Sequence, residues 1–233
     1  MVMKHAVDIL DTTLRDGSYA IDFQFTADDT AVIASALESA GIRLIEVAHG
    51  LGLGAARAGH GDQASSDEAY LRAASAVLRT AAFGTFFIPG IGSEDDLRLA
   101  ADCGMRFVRI GTNITEVESG RPFVALAKRL GMSVWCNFMK SYAVGPEQFG
   151  ACARQAEDLG ADVACLVDSA GCMFPEDIRA YVDAARSACG LRIGFHGHDN
   201  LSLAMANAIA AYEVGIDCID SSLQGLGRSE GNV

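Results

Sequence analysis

Positive charge is what this chain has least of. Eighteen lysines and arginines stand against 30 aspartates and glutamates, for a formal net charge of −12. A surface of that sign repels phosphate backbones and anionic lipid, so nucleic-acid and membrane partners are not expected. Long apolar runs are also missing. None approaches the ~18 residues of a membrane span, and the opening Met1-Val2-Met3-Lys4-His5 has no signal-peptide core. The seven cysteines include no Cys-x-x-Cys pair. They suit small buried side chains in a reducing compartment, and a cytoplasmic location is expected. Only four prolines interrupt a chain of 233 residues that is half hydrophobic. That is enough to bury one sizeable core, and residues 1–233 are expected to form a single catalytic domain.

What is present is a repeat. A helix-like segment ends in glycine, and four to eight apolar or β-branched residues follow. The pattern appears around Gly41, Gly104, Gly131, Gly160, Gly190 and Gly215. Glycine is the natural helix C-cap, so the apolar run after each one reads as the next strand. The later glycines recur about once per βα unit. Val7–Leu14 and Ala82–Ile88 complete a set of eight predicted strands, the last at Cys218–Leu223. Helices fill the intervals, for example Ala27–Ser39 behind a Thr26 cap with Asp29 three residues on. Eight alternating units predict an α/β fold of the (β/α)8 TIM-barrel type, with an open doubly wound sheet as the alternative.

Two stretches carry candidate chemistry. Arg15-Asp16 closes the first predicted strand, and His196-Gly197-His198 closes the seventh. Residues i and i+2 on a strand share a face, so both imidazoles aim at one place. One carboxylate and two imidazoles form a donor set suited to Mn²⁺, Co²⁺, Mg²⁺ or Zn²⁺ with a position left open. The bland alternative is a turn-capping Asp16 and a hydrogen-bonded polar core. A closed barrel favours the metal site, because it brings strands one, seven and eight together. Arg15 could stabilise a developing oxyanion, worth ~2.7–4 kcal/mol by analogy with one oxyanion donor. Its alternative is an ion pair with Asp11 or Glu46. Weaker signals end other strands: Glu46 and His49, Asn113, Asn137, Lys140, Asp168 and Ser169. The glycine-rich Leu51–Ser66, with His60, is long for a βα loop and reads as a lid.

The runs Asp11-Thr-Thr-Leu-Arg-Asp-Gly17, His196-Gly-His-Asp-Asn200 and Gly225-Leu-Gly…Gly231-Asn232 resemble the metal-dependent lyase and aldolase barrels of the DRE-TIM type. Further runs resemble the 4-hydroxy-2-oxovalerate aldolase branch: Ile45-Glu-Val-Ala-His-Gly50, Pro89-Gly-Ile-Gly92, Val108–Glu116, Asp168-Ser-Ala-Gly171 and Asn200–Asn207. The resemblance covers nearly all of the chain. It implies a divalent cation, with Mn²⁺ expected first, held by Asp16, His196 and His198; the asparagine matching Asn232 is a further ligand in the lyase relatives, and water is the alternative there in the aldolase branch. It also implies that Arg15 stabilises a pyruvate enolate and that Ser169 contacts the 2-oxo acid substrate. The implied activity is a carbon–carbon lyase acting on 4-hydroxy-2-oxo acids. A Claisen-type acyl-CoA condensing enzyme and a metal-retaining non-catalytic barrel are the alternatives. Two departures stand out. Tyr19 occupies the place of the aldolases' histidine base, which leaves Tyr19 and His49 as candidates for handling the proton. The chain also stops at Val233, before the eighth helix and the C-terminal segment that meets a dehydrogenase in those aldolases. A dehydrogenase partner is accordingly in doubt. An uncovered apolar flank beside strand eight is expected, and with it either self-association or a longer parent protein.

Overall fold

The computed structural model describes residues 6–233. Met1–His5, on which the leader reading rests, lie outside the described residues. The strands are β1 (Asp8–Asp11), β2 (Leu44–Glu46), β3 (Ala82–Phe87), β4 (Phe107–Asn113), β5 (Ser133–Met139), β6 (Val163–Asp168), β7 (Arg192–Gly197) and β8 (Cys218–Ser221). Each runs parallel to the next, and β8 pairs back on β1 from Asp8↔Cys218 to Asp11↔Ser221. The closed (β/α)8 barrel forms, and the open sheet does not.

Helices α1 (Ala27–Ser39), α2 (Asp67–Val77), α3 (Glu94–Asp102), α4 (Arg121–Arg129), α5 (Pro146–Leu159), α6 (Pro175–Ala188) and α7 (Ala204–Glu213) alternate with the strands. Their starts follow local chemistry. Thr26 accepts from Asp29 N while Asp29 accepts from Thr26 N, and Ser93 and Asp96 repeat this box before α3. The predicted bounds of α1 are met. Helix α5 ends on Gly160 at φ 94°, a left-handed position where a side chain would be strained. Gly190 departs from the repeat. Helix α6 stops at Ala188, and Cys189 is already extended.

Two strand ends also differ from expectation. β1 stops at Asp11, short of Leu14, because Arg15 N and Gly17 N both donate to Thr12 O and turn the chain. Arg15 and Asp16 therefore lie on the loop entering a 3-10 helix, Asp16–Ile21. β8 stops at Ser221, short of Leu223.

Packing has two parts. One apolar layer, including Ile45, Val108, Phe138 and Ile193, fills the space between barrel and helices. A second plugs the barrel floor with Leu10, Phe107, Trp135, Val163, Cys165 and Cys218, and Val167 of the same cluster reaches the pocket at the other end. Alternation along the strands then turns polar side chains inward above this plug: Glu46, Arg109, Asn137, His196 and Asp220 are all buried. Between α7 and the β8–β1 seam lies an apolar groove lined by residues including Ile9, Met205, Ile209, Ile219 and Val233. Among the described residues, no helix is long and apolar enough to cross a membrane.

A candidate metal centre above a chain of buried charges

Asp16, His196 and His198 are all buried, and one donor atom from each lies within 4.8 Å of the others. The loop after β1 supplies the carboxylate. The end of β7 supplies the imidazoles, whose ring centroids are 4.9 Å apart at 85°. Asn232 reaches the same place from the loop after β8, through an antiparallel bridge to His198. Its Nδ2 donates to Asp16 Oδ2 at 2.7 Å. Its Oδ1 is buried and has no hydrogen-bond partner. The approach is tight enough that a Cβ on Gly227 would fall 2.5 Å from the Asn232 amide, so only glycine fits there.

The tautomers follow from the partners. Asp220 Oδ2 lies 2.7 Å from His196 Nδ1. Burial would raise the Asp220 carboxyl, but Arg109 and His196 hold it below the usual range, so it can only accept. His198 Nδ1 faces the Gly231 carbonyl at 3.3 Å and must donate. Both rings thus keep Nε2 as the free lone pair. Burial, followed by its neighbour His196, lowers His198 to about 4, so this ring is neutral at physiological pH. Burial opposes ionisation of Asp16, yet Arg15, the two histidines and Asn232 hold its carboxyl well below the ordinary value. A carboxylate, two imidazoles and an unsatisfied amide oxygen fit a divalent cation.

Below this cluster runs a chain of paired charges. Arg15 donates to Glu46 Oε2 from Nε at 2.9 Å and Nη2 at 2.8 Å, and to Asp16 Oδ1 from Nη1 at 2.7 Å. The same Glu46 oxygen accepts from Arg109 Nη1 at 2.9 Å. Arg109 Nη2 is ion-paired with Asp220 Oδ2 at 2.6 Å, which leads back to His196. Each charge has left water, and each has an opposite charge beside it; unpaired, such burial would not be tolerated. Arg15 thus makes the anticipated pair with Glu46 and also touches Asp16. Its guanidinium stands 4.9 Å over the Phe86 ring and faces the pocket.

That pocket, of about 50 Å³, is lined by residues that include Arg15, Asp16, Tyr19, Asn137, Ser169, His196, His198 and Arg228. Burial raises the Tyr19 hydroxyl and outweighs the lowering by Arg15, so Tyr19 is a protonated donor. Ser169 Oγ accepts from Lys140 N at 2.9 Å. His49 is not among the lining residues. Its ring stacks on Phe23 at 3.8 Å, and its Nδ1 accepts from Leu51 N. Phe23 in turn meets Tyr19 edge-on at 4.9 Å, so His49 backs the wall that Tyr19 forms. Asn113 turns aside to Glu116. The Leu51–Ser66 loop is tied down by Arg57 on Asp96 and by Gly54 N on Asp67, and Leu51 alone of it lines the pocket.

Three residues of this site escape a sequence reading: Arg109, Asp220 and Arg228. The first two left a signal, a charge inside an otherwise apolar strand. Arg228 lies in a glycine-rich loop with nothing to mark it.

The model of the HMGL-like family matches residues 6–233, and the chain belongs to that family. Membership implies a divalent metal ion, which the donor set fits. A protein of Moorella thermoacetica named 4-hydroxy-2-oxovalerate aldolase is 43% identical over 227 residues, spanning 97% of this chain and 67% of the relative. A Mycobacterium tuberculosis protein named oxaloacetate decarboxylase is 42% identical, spanning 96% of this chain and 66% of its own length. The chain therefore spans about two thirds of the length of these curated relatives. The HMG-CoA lyase of Brucella melitensis superposes with a TM-score of 0.78 at 21% identity, covering 98% of this chain and 87% of that one; this likeness concerns the fold.

Proposed function

We propose that the protein is a divalent-metal-dependent aldolase that cleaves or forms 4-hydroxy-2-oxo acids through a pyruvate enolate. The observation that carries this is the buried Arg15 guanidinium, held 2.7 Å from Asp16, one member of the Asp16–His196–His198 donor cluster. Relatives named 4-hydroxy-2-oxovalerate aldolase support it. Asp16, His196, His198 and Asn232 would hold the ion, with Mn²⁺ first among Mn²⁺, Mg²⁺, Co²⁺ and Zn²⁺. When bound, the ion supplies a Lewis acid for the carboxylate and keto oxygens of a 2-oxo acid.

The chain's own residues do the rest. Arg15, fixed by Glu46, stabilises charge that develops on the keto oxygen as the enolate forms. Tyr19 Oη donates to the substrate and orients its 4-hydroxyl, whose proton leaves to water in the pocket. Ser169 Oγ contacts the 2-oxo acid carboxylate. His49 supports Tyr19 through Phe23 and takes no proton. Seven free thiols suit the reducing cytoplasm.

The decisive experiment incubates the Mn²⁺-loaded protein with pyruvate in D₂O and follows C3 exchange by NMR. Pyruvate release from racemic 4-hydroxy-2-oxo acids is measured alongside. Exchange and release that are both abolished in Arg15→Ala are expected. Absence of both in the metal-loaded wild type would refute the assignment. Oxaloacetate belongs in the same assay, since one relative is named for its decarboxylation, which leaves the same enolate.

A further inference from the structure

The pocket holds a second guanidinium that the chemistry above does not use. Arg228 lies in the loop after β8 and is held at two points. Its backbone N–H donates to Asp16 Oδ2 at 3.2 Å, and its Nη2 donates to the Ser169 carbonyl at 2.9 Å. These anchors come from the β1 and β6 ends of the barrel, so the side chain spans part of the pocket. The other two inward arginines are neutralised: Arg15 by Glu46 and Asp16, Arg109 by Glu46 and Asp220. Arg228 has no carboxylate partner among the described residues, and its side-chain partner is a neutral carbonyl. Asp16, the one carboxylate of the pocket wall, already accepts from Arg15, Asn232 and the Arg228 backbone. A half-buried guanidinium that faces a pocket with its charge unpaired is a receptor for a carboxylate.

We propose that Arg228 forms a second anion subsite, and that the natural substrate is a 2-oxo acid bearing a further carboxylate at its distal end. This rests on the pyruvate-enolate assignment and narrows it. Cleavage of such a 4-hydroxy-2-oxo dicarboxylate removes the proton of the 4-hydroxyl and breaks C3–C4. The bonding pair goes to C3 as the pyruvate enolate, which then takes a proton from water. The other fragment leaves as a carbonyl acid that keeps its carboxylate. A distal carboxylate could instead be one that departs as CO₂, as from oxaloacetate. Arg228 favours the retained carboxylate: a charge that vanishes during reaction is held more tightly before the transition state than in it, and such a contact slows the step.

The test uses pairs matched except at the far end. In steady state, 4-hydroxy-2-oxoglutarate is compared with 4-hydroxy-2-oxopentanoate. For binding without turnover, 2-oxoglutarate and 2-oxopentanoate are titrated calorimetrically into the metal-loaded protein. A preference of about tenfold or more for the dicarboxylate is expected in both, the scale of one charge-assisted contact. Arg228→Ala should bring the ratios towards one, and Arg228→Lys should keep part of them. A fall in kcat for oxaloacetate decarboxylation in Arg228→Ala together with an unmoved aldol ratio would overturn the retained-carboxylate assignment. A wild type that does not discriminate, or ratios unmoved in Arg228→Ala, would remove the subsite. If pyruvate exchange is absent but the binding preference holds, the subsite stands and the reaction assignment falls. Exchange without any preference means the reverse.

Discussion

At the scale of single residues, the two proton-handling candidates now occupy different places. Tyr19 lines the pocket as a protonated donor, whereas His49 stands behind it against Phe23. Tyr19→Phe should therefore lower kcat more than His49→Ala does. A His49→Ala enzyme slowed by the ~10²–10⁴-fold of a lost general base would reverse that order. Asp220 fixes the His196 tautomer through its 2.7 Å contact. Asp220→Asn should weaken divalent-ion affinity by about 10–100-fold, read by calorimetry on the apo protein. Affinity equal to wild type would mean that His196 needs no such orientation. His196 and His198 could be read in the sequence because residues two apart on a strand share a face, and Arg15 and Asp16 because they close the first apolar run. Arg109 and Asp220 could not be paired that way. Their partners lie on strands far along the chain, and only barrel closure says which charges meet.

At the scale of elements, local rules carried most of the weight. The Thr26–Asp29 box and the glycine after α5 are written in a few consecutive residues, so α1 and α5 were legible. The ends of β1 and β8 were not: backbone hydrogen bonds at Thr12 turn the chain after β1 while its side chains remain apolar or β-branched, and after β8 Ser222 N donates to Val233 O, far along the closing loop. A sharper prediction concerns Glu38, at the end of α1. Its carboxylate accepts from the N–H groups of Arg79, Thr80 and Ala81 and ties α1 to the approach to β3. The Ala81 bond leads in lowering its pKa from 4.5 to about 2. A depressed folded value adds stability above the unfolded pKa and loses it as pH falls towards the folded one. Wild type should therefore exceed Glu38→Gln in stability near neutrality, with the gap closing between pH 4.5 and about 2. Urea unfolding across that window decides it; a gap independent of pH would exclude the ionised carboxylate as its source.

At the scale of the whole molecule, closure of the barrel follows from the eightfold repeat, and the charge pattern kept its surface acidic. The groove beside α7 is where an apolar face meets solvent: Met205 is 61% and Ile209 53% exposed. Contiguous apolar surface of this kind drives association. Light scattering should show mass rising with concentration in the wild type and a constant mass in Met205→Glu/Ile209→Glu. A wild type that stays monomeric throughout would show that the groove is too small to matter.

The donor cluster takes one member from near the start of the chain and the others from near residue 200 and beyond, on strands that meet at the β7–β8–β1 seam. The site therefore has no partial form. A nascent or half-folded chain holds Asp16 without His196, and a cation meeting it finds one carboxylate. On the proposed assignment of the ion to this cluster, capture comes after closure, and the ion acts on the exit from the native state and not on the approach to it. Added Mn²⁺ should slow unfolding in stopped-flow experiments and leave the refolding rate as it is in chelator. Faster refolding with the ion would mean that the two ends of the chain find each other early, before the middle of the barrel is built.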